Sequence, residues 1–240
     1  MKIFRNVLLV ILAIILISGI SLYIAGDNMY KKALAGETLE DVISEIMSNP
    51  NYIKYEDLPQ NYINAVIAVE DHRFRDHGAI DLIAIGRAIY VNVTSFSLRE
   101  GGSTITQQVA KNIFYITETN PVTRKSSEII TAFDLENKYT KNEILELYVN
   151  TIYFGDGYYG IEEACKGYLG KSSTEMNLAD CTMMAGIPNA PSVYAPTVNP
   201  ELTRNRQEKV ISDMVENGYL SEQDQNDLLD NLDKYYEDFN

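Results

Sequence analysis

The 240-residue sequence predicts a mainly α-helical domain carried behind one N-terminal transmembrane helix. From Val7 to Ala25 no charge interrupts a run dominated by Leu, Ile, Val and Ala. At about 1.5 Å per residue this run just spans a hydrocarbon core of about 30 Å. Beyond it, apolar residues recur at three- and four-residue intervals between capping residues, and few stretches alternate as strands do. A hydrophobic content of 45% is enough to build one sizeable core. The 34 acidic and 20 basic residues leave a formal charge of −14, which argues against a nucleic-acid partner. A site for any other anionic group must then be a local basic patch. Cys165 and Cys181 lie in apolar helical patterns with no disulfide framework or metal-ligand spacing, and read as small buried hydrophobes.

Lys2 and Arg5 precede the apolar run and Asp27 follows it, so the positive-inside bias keeps residues 1–6 in the cytoplasm and places everything after the anchor outside. No small-x-small site stands out after the run, which favours retention over cleavage as a signal peptide. Three segments follow: residues 1–26 as cytoplasmic stub and anchor, 27–51 as a membrane-proximal segment, and 52–240 as the domain with an acidic C-terminal tail. In the second, Leu39, Val42, Ile43 and Ile46 form a narrow stripe that lies on the membrane or docks on the domain, and Asn49-Pro50-Asn51-Tyr52 ends it.

Asp57-Leu58-Pro59-Gln60-Asn61 then leads into a helix in which Ile63, Val66, Ile67, Glu70 and Phe74 recur at i, i+3, i+4, i+7 spacing. That spacing puts the Glu70 carboxylate on an apolar face, where burial makes it hold its proton, as a tuned acid or base does. The plainer reading, Glu70 at a helix end paired with Arg73 or Arg75 in a solvated cluster, leads on this stretch alone. Asp81 caps a helix carrying Leu82, Ile85, Ile89 and Val93 on one side. From Leu98 to Asn112, Gly101-Gly102 make a permissive loop and Thr104-x-x-Gln107 has capping-box spacing, so the loop feeds a helix N-terminus suited to an anion. An ordinary connection fits the loop equally well. Gln108 and Lys111 share the polar face of that helix.

Thr123 is the expected N-cap of the next helix, and Ile129, Ile130, Ala132, Phe133 and Leu135 make it apolar almost all round, hence central. Glu128 is thus a second carboxylate near a core, with Arg124 and Lys125 one turn before it. Thr140-x-x-Glu143 caps a helix with Ile144, Leu145 and Tyr148 inward. A glycine- and tyrosine-rich turn runs from Asn150 to Gly160, and a buried helix from Leu178 to Gly186. Asn199-Pro200 starts a helix ended by Gly218, and Ser221 caps the last, before a tail from Asp230 that reads as solvated. His72 and His77 are badly spaced for a metal pair on one helical face, and His77 is expected to hydrogen-bond and fix the chain after Glu70. Tyr158-Tyr159 and Tyr235-Tyr236 read as packing or interfacial pairs, and Lys31-Lys32 as solvated.

Five stretches in order carry a resemblance. Glu70-Asp71-x-x-Phe74-x-x-His77-Gly78, Gly101-Gly102-Ser103-Thr104-Ile105-Thr106-Gln107-Gln108-x-x-Lys111-Asn112, Arg124-Lys125-x-x-Glu128 and Lys141-x-Glu143-Ile144-Leu145-Glu146-x-Tyr148-x-Asn150-x-Ile152-Tyr153-Phe154-Gly155 resemble the motifs of the peptidoglycan glycosyltransferases, glycosyltransferase family 51. Asn189-Ala190-Pro191-Ser192-x-Tyr194-Ala195-Pro196, with Arg206-x-x-x-Val210, is similar to the end of the same domain. The likeness runs from Tyr52 to Gly218. It implies a lysozyme-like, two-lobed helical domain that polymerises lipid II on the outer face of the bacterial membrane, with lipid II and the growing lipid-linked glycan as partners, alongside other cell-wall synthesis proteins.

The same resemblance implies Glu70 as the base acting on the acceptor 4-hydroxyl, and Glu128 as a second catalytic glutamate that steadies the diphosphate or a divalent cation there. Lys111, Arg124 and Lys125 would hold the diphosphate, with Gln107, Gln108, Ser103, Thr104, Asp71 and Asn150 completing the substrate site. No obligatory cofactor is implied; Mg2+ or Mn2+ at the diphosphate, on Glu128, is the option. Asn120-Pro121 departs from the family where many relatives carry a basic residue, so part of the diphosphate grip is expected from elsewhere. No Ser-x-x-Lys module follows, so the resemblance is to the monofunctional form or to one domain of a bifunctional, penicillin-binding one. A lytic transglycosylase or lysozyme would also place a glutamate in a helical domain, but cleaving a neutral glycosidic bond needs no cluster like Arg124-Lys125-x-x-Glu128. A non-catalytic scaffold would have no need of Glu70.

Overall fold

The computed structural model describes residues 2–95 and 101–239, and is mainly α-helical. Leu98, Arg99 and Glu100 of the glycine loop lie outside the described residues. Helix α1 (Lys2–Ala33) is one unbroken rod that carries the apolar run and continues past it, with only Gly26 and Tyr30 buried. It ends beside α2 (Leu39–Met47), which a Thr38–Asp41 capping box starts and whose Leu39 and Ile43 are buried, so the stripe docks on the domain.

Helix α3 (Gln60–Glu70) has Tyr62, Ile63, Ala65, Val66, Ile67 and Ala68 buried and packs on α9 (Leu178–Gly186) and α11 (Pro200–Glu216). It stops at Glu70. Phe74 is therefore not on the helix, although the following turn still buries it completely. Helix α4 (Leu82–Ser95) begins as expected: Asp81 Oδ1 accepts from the Ile83 and Ala84 amides at 2.8 and 3.1 Å. Its apolar side is not core. Leu82, Ile83, Ile89, Tyr90 and Val93 face outward, and only Ala88 is buried.

Helix α5 (Ile105–Ala110) runs into a π-helical turn, Lys111–Tyr115, and packs on α6 (Pro121–Lys138) and α7 (Lys141–Thr151). The start of α6 differs from expectation. Asn120, not Thr123, is its N-cap, accepting from the Val122 and Thr123 amides, because Pro121 at the first position lacks the amide that would have needed a partner. Nor is α6 buried all round: Ile129 and Ile130 are half-buried and Phe133 is exposed. Thr140 and Glu143 form the expected capping box of α7.

The Asn150–Gly160 turn closes as a two-stranded antiparallel hairpin, β1 (Tyr153–Gly155) with β2 (Tyr158–Tyr159). It precedes α8 (Ile161–Leu169), while a short α10 (Pro191–Tyr194) lies between α9 and α11. Among the described residues the acidic tail keeps its charged side chains exposed, as expected, but it is helical and docked rather than free. Helix α12 (Glu222–Tyr236), capped by Ser221 and Asp224, buries Leu232 and Tyr236, and the Tyr235 and Tyr236 hydroxyls donate to Asp180 and Gln207. Its inward apolar residues and tyrosines outweigh its outward charges. Cys165 and Cys181 are buried and unpaired, as expected.

Candidate active site

Glu70 closes α3 with no arginine in a salt bridge to it among the described residues. Arg73 instead pairs with Asp81 at 3.0 Å, and Arg75 hydrogen-bonds Asn142 and Tyr55, so the solvated-cluster reading fails. Glu70 Oε2 accepts from Gln108 Nε2 at 2.7 Å, while Oε1 is buried with no hydrogen-bond partner. Burial pushes its carboxyl above the ordinary glutamate value, against a lowering by the Gln108 hydrogen bond and the Arg206 charge, and Asp71 adds to the rise.

Asp71 fixes the turn that follows. Its Oδ1 meets His77 Nε2 at 2.8 Å and its Oδ2 accepts from the Ile105 amide at 3.1 Å, so it pins the end of α3 to the start of α5, and His77 holds the loop as expected. Thr104 Oγ1 accepts from the Gln107 amide and donates to Ala79 O. The start of α5 is therefore not an open anion site: its first and third amides are taken by Asp71 and Thr104, and Gln107 turns away from the box to bond Ala79 O and Lys125. Gly102 lets this loop pass α4, since a Cβ there would stand 3.2 Å from Ile85 Cα.

The basic cluster is assembled on α6. Lys125 Nζ donates to Ser103 Oγ and Gln107 Oε1, each at 2.7 Å, and lies 3.1 Å from Glu128 Oε2. Arg124 Nε stands 3.3 Å from Glu128 Oε1, close enough for charge attraction but misaligned for a hydrogen bond. Glu128 is buried between the two cations. Both its oxygens thus face positive charge, a donor set that fits lysine and arginine and not a hard divalent cation seeking several oxygens. Lys111, one turn beyond Gln107 and Gln108, is exposed and pairs with nothing among the described residues. Asn150 is committed inside the fold: its amide exchanges hydrogen bonds with the Ile53 backbone and donates to Glu146 O.

Glu70 opens into a polar cavity of about 500 Å3 whose other wall is α11, through Arg206, Lys209 and Asp213. A crevice of about 30 Å3 lined by Glu70, Arg87, Gly102 and Ser103 leads from it towards the serine that receives Lys125. Gln107 and Gln108 are the hinge of the arrangement: neighbours in sequence, one holds the cation and the other the carboxylate. Arg124, Lys125, Glu128 and Lys111 do not line the Glu70 cavity itself. Sequence reasoning gave no role to Arg87, Lys209 or Asp213, and saw Arg206 only as part of a terminal motif; nothing local ties α11 to Glu70. Asp71, His77 and Asp81 bring ligand-type atoms within 4.8 Å of one another, yet each is already engaged, Asp81 by Arg73 and the α4 cap.

A carboxylate poised in a polar cleft and a fixed cation cluster held from the neighbouring position of the same short helix are the parts of an enzyme that transfers a group from an anionic leaving group; α1 is long and apolar enough to cross a membrane, its most apolar stretch having mean hydropathy 2.9. Residues 37–215 match the transglycosylase family model. A Cupriavidus necator protein named as a transglycosylase is 41% identical, over 75% of this chain and 78% of that one. Penicillin-binding protein 1A of Neisseria gonorrhoeae is 42% identical over 78% of this chain and 23% of its own length. Penicillin-binding protein 1F of Bacillus subtilis is 39% identical over 76% and 25%. The chain thus spans about a quarter of the length of these penicillin-binding relatives. It belongs to the transglycosylase family, and is a glycosyltransferase.

Proposed function

We propose that this enzyme polymerises lipid II into linear β-1,4 glycan strands of peptidoglycan. Glu70 removes the proton from the acceptor 4-hydroxyl, the freed oxygen attacks C1 of the donor with inversion, and the C1–O bond to the undecaprenyl diphosphate breaks with its electrons passing to the leaving group. Lys111, whose ammonium is unengaged among the described residues, and the Arg124–Lys125 pair offset the charge that builds on the diphosphate. Glu128 holds those two cations in place, and Gln107, Ser103 and Asp71 position the groups that act. The observation that carries this reading is the hinge of Gln107 and Gln108, adjacent residues of one short helix, of which one holds a cation and the other the carboxylate. Cleavage by a lytic enzyme or lysozyme would leave the cation cluster without a task.

The positive-inside bias supports a cytoplasmic N-terminus and a domain on the outer face, where the exposed apolar side of α4 offers a second contact with lipid. The test is incubation of the detergent-solubilised protein with labelled lipid II and resolution of products on a gel. A ladder of strands is expected; consumption of preformed glycan without a ladder would favour the lytic alternative.

A further inference from the structure

A second cavity, of about 420 Å3, lies between α2, the π-helical turn and the hairpin, and shares no lining residue with the Glu70 cavity. Its size falls in the range of small-molecule sites, roughly 300–1,000 Å3. Asn112 reaches into it from the π-turn, and its Nδ2 is buried without a hydrogen-bond partner. A buried amide donor with no acceptor is unfavourable, and an acceptor brought by a ligand would relieve it. π-turns of this kind concentrate at functional sites. Val42 and Ile46 from α2 and Ile113 from the turn make an apolar wall. At the hairpin side stands Tyr159, 52% exposed, its ring 4.8 Å from that of Tyr153. Among the described residues no lysine, arginine or histidine lines the cavity, and Glu45 is its carboxylate.

These features select a neutral, partly apolar ligand with a hydrogen-bond acceptor. A phosphate or carboxylate would face Glu45, while the nearby ammonium groups of Lys166 and Lys54, themselves outside the lining, are engaged with Asn51 and with Glu146. An N-acetylated sugar matches each part: its acetamido carbonyl accepts from Asn112, its methyl lies on Val42 and Ile46, and a pyranose face covers a tyrosine ring. The position relative to the catalytic groove is set by the helix. Asn112 follows Gln108 by four residues, one turn or about 5–6 Å along the same face, and Gln108 is the residue bonded to Glu70. We propose that this cavity is a carbohydrate subsite that holds an N-acetylated sugar unit of the growing strand away from the bond being formed, keeping the strand on the enzyme between additions. The identity of the strand rests on the polymerase reading above; the chemistry of the cavity does not.

The full-length, detergent-solubilised protein is titrated with chitotetraose, a neutral N-acetylglucosamine tetramer, by calorimetry, and strand lengths from labelled lipid II are measured in parallel. Binding by the wild type is expected, weakened at least tenfold in Val42→Trp, which fills the cavity, and in Asn112→Leu, which removes the donor without adding bulk. Melting curves establish that each variant is folded, and the pair guards against failure of either one. Glu70→Gln is expected to bind chitotetraose within about twofold of wild type. Val42→Trp should also shorten the median strand at least twofold. No binding by the wild type, or equal binding by folded Val42→Trp, overturns the subsite; weakened binding with unchanged strand length overturns the growing strand as its occupant. A wild type that binds chitotetraose yet makes no polymer would refute the polymerase reading and leave the sugar site standing.

Discussion

Glu70 carries opposing demands. Its carboxyl is held above the ordinary glutamate range chiefly by burial, with the Gln108 hydrogen bond and Arg206 pulling the other way. A base works only when ionised, so the rising limb of the pH–rate profile is expected above the ordinary glutamate range, and Gln108→Leu should move it further up. The consequence for stability has a definite sign. Because the folded value lies above the unfolded one, the folded state binds more protons between the two, and stability falls as pH rises through that window. Glu70→Gln is therefore expected to melt higher than wild type at neutral pH and to lose that advantage below the unfolded glutamate range; equal melting differences at both pH values would contradict the burial argument. Lys125 differs in kind, since its ammonium is partly exposed and held by three groups. Lys125→Met, which keeps the stem, is expected to lower turnover by roughly 100-fold or more, while the melting temperature moves by only a few degrees. Parallel losses in both would make the cluster structural.

At the scale of elements, α6 is both the bearer of the cations and the seat of the anchor. Ser127 Oγ donates to Gly26 O at 3.0 Å, Ser126 Oγ to Leu22 O at 2.8 Å, and Tyr30 Oη to Asp134 Oδ2 at 2.6 Å. Gly26 is the notch that permits this approach: a Cβ there would lie 2.6 Å from Ser126 Oγ and 3.0 Å from its backbone carbon. The anchor thus sets where the cluster sits relative to its own helix. Gly26→Leu is expected to lower the melting temperature and the rate, whereas Gly19→Leu, with nothing within 4 Å, should change neither. Asn120→Ala, removing the α6 cap, is expected to cost about 1 kcal/mol in chemical denaturation. Much of this element level was legible. The caps at Asp81, Thr140, Asn199 and Ser221 and the buried run of α9 follow from local spacing. The start of α6 was misplaced because Asn-Pro outcompetes Thr123 as a cap, and the docking of the tail was missed because Leu232 and Tyr236 decide its packing in spite of its charge. Neither the α11 wall of the cleft nor the clasp made by Asn150 has a local signature, since both depend on residues far apart in sequence.

At the scale of the whole molecule, the anchor and the outward side of α4 are extended apolar surfaces among the described residues. A lone amphipathic surface helix normally turns that side inward, and lipid is the covering proposed for it. Val93→Asp together with Ile89→Asp is expected to weaken binding of the domain to liposomes without lowering its melting temperature; loss of fold instead would mean that the side is packed. Protease added to intact spheroplasts should reach the domain, and protection until lysis would contradict the outer-face topology. The central claim, however, is that Glu70 is the proton acceptor, and the direct measurement is polymer formation from labelled lipid II by Glu70→Gln at neutral pH. No polymer is expected, with a diphosphate-bearing substrate analogue still bound at near wild-type affinity because the Lys111, Arg124 and Lys125 charges are untouched. Strand synthesis by Glu70→Gln at near wild-type rate would contradict the account.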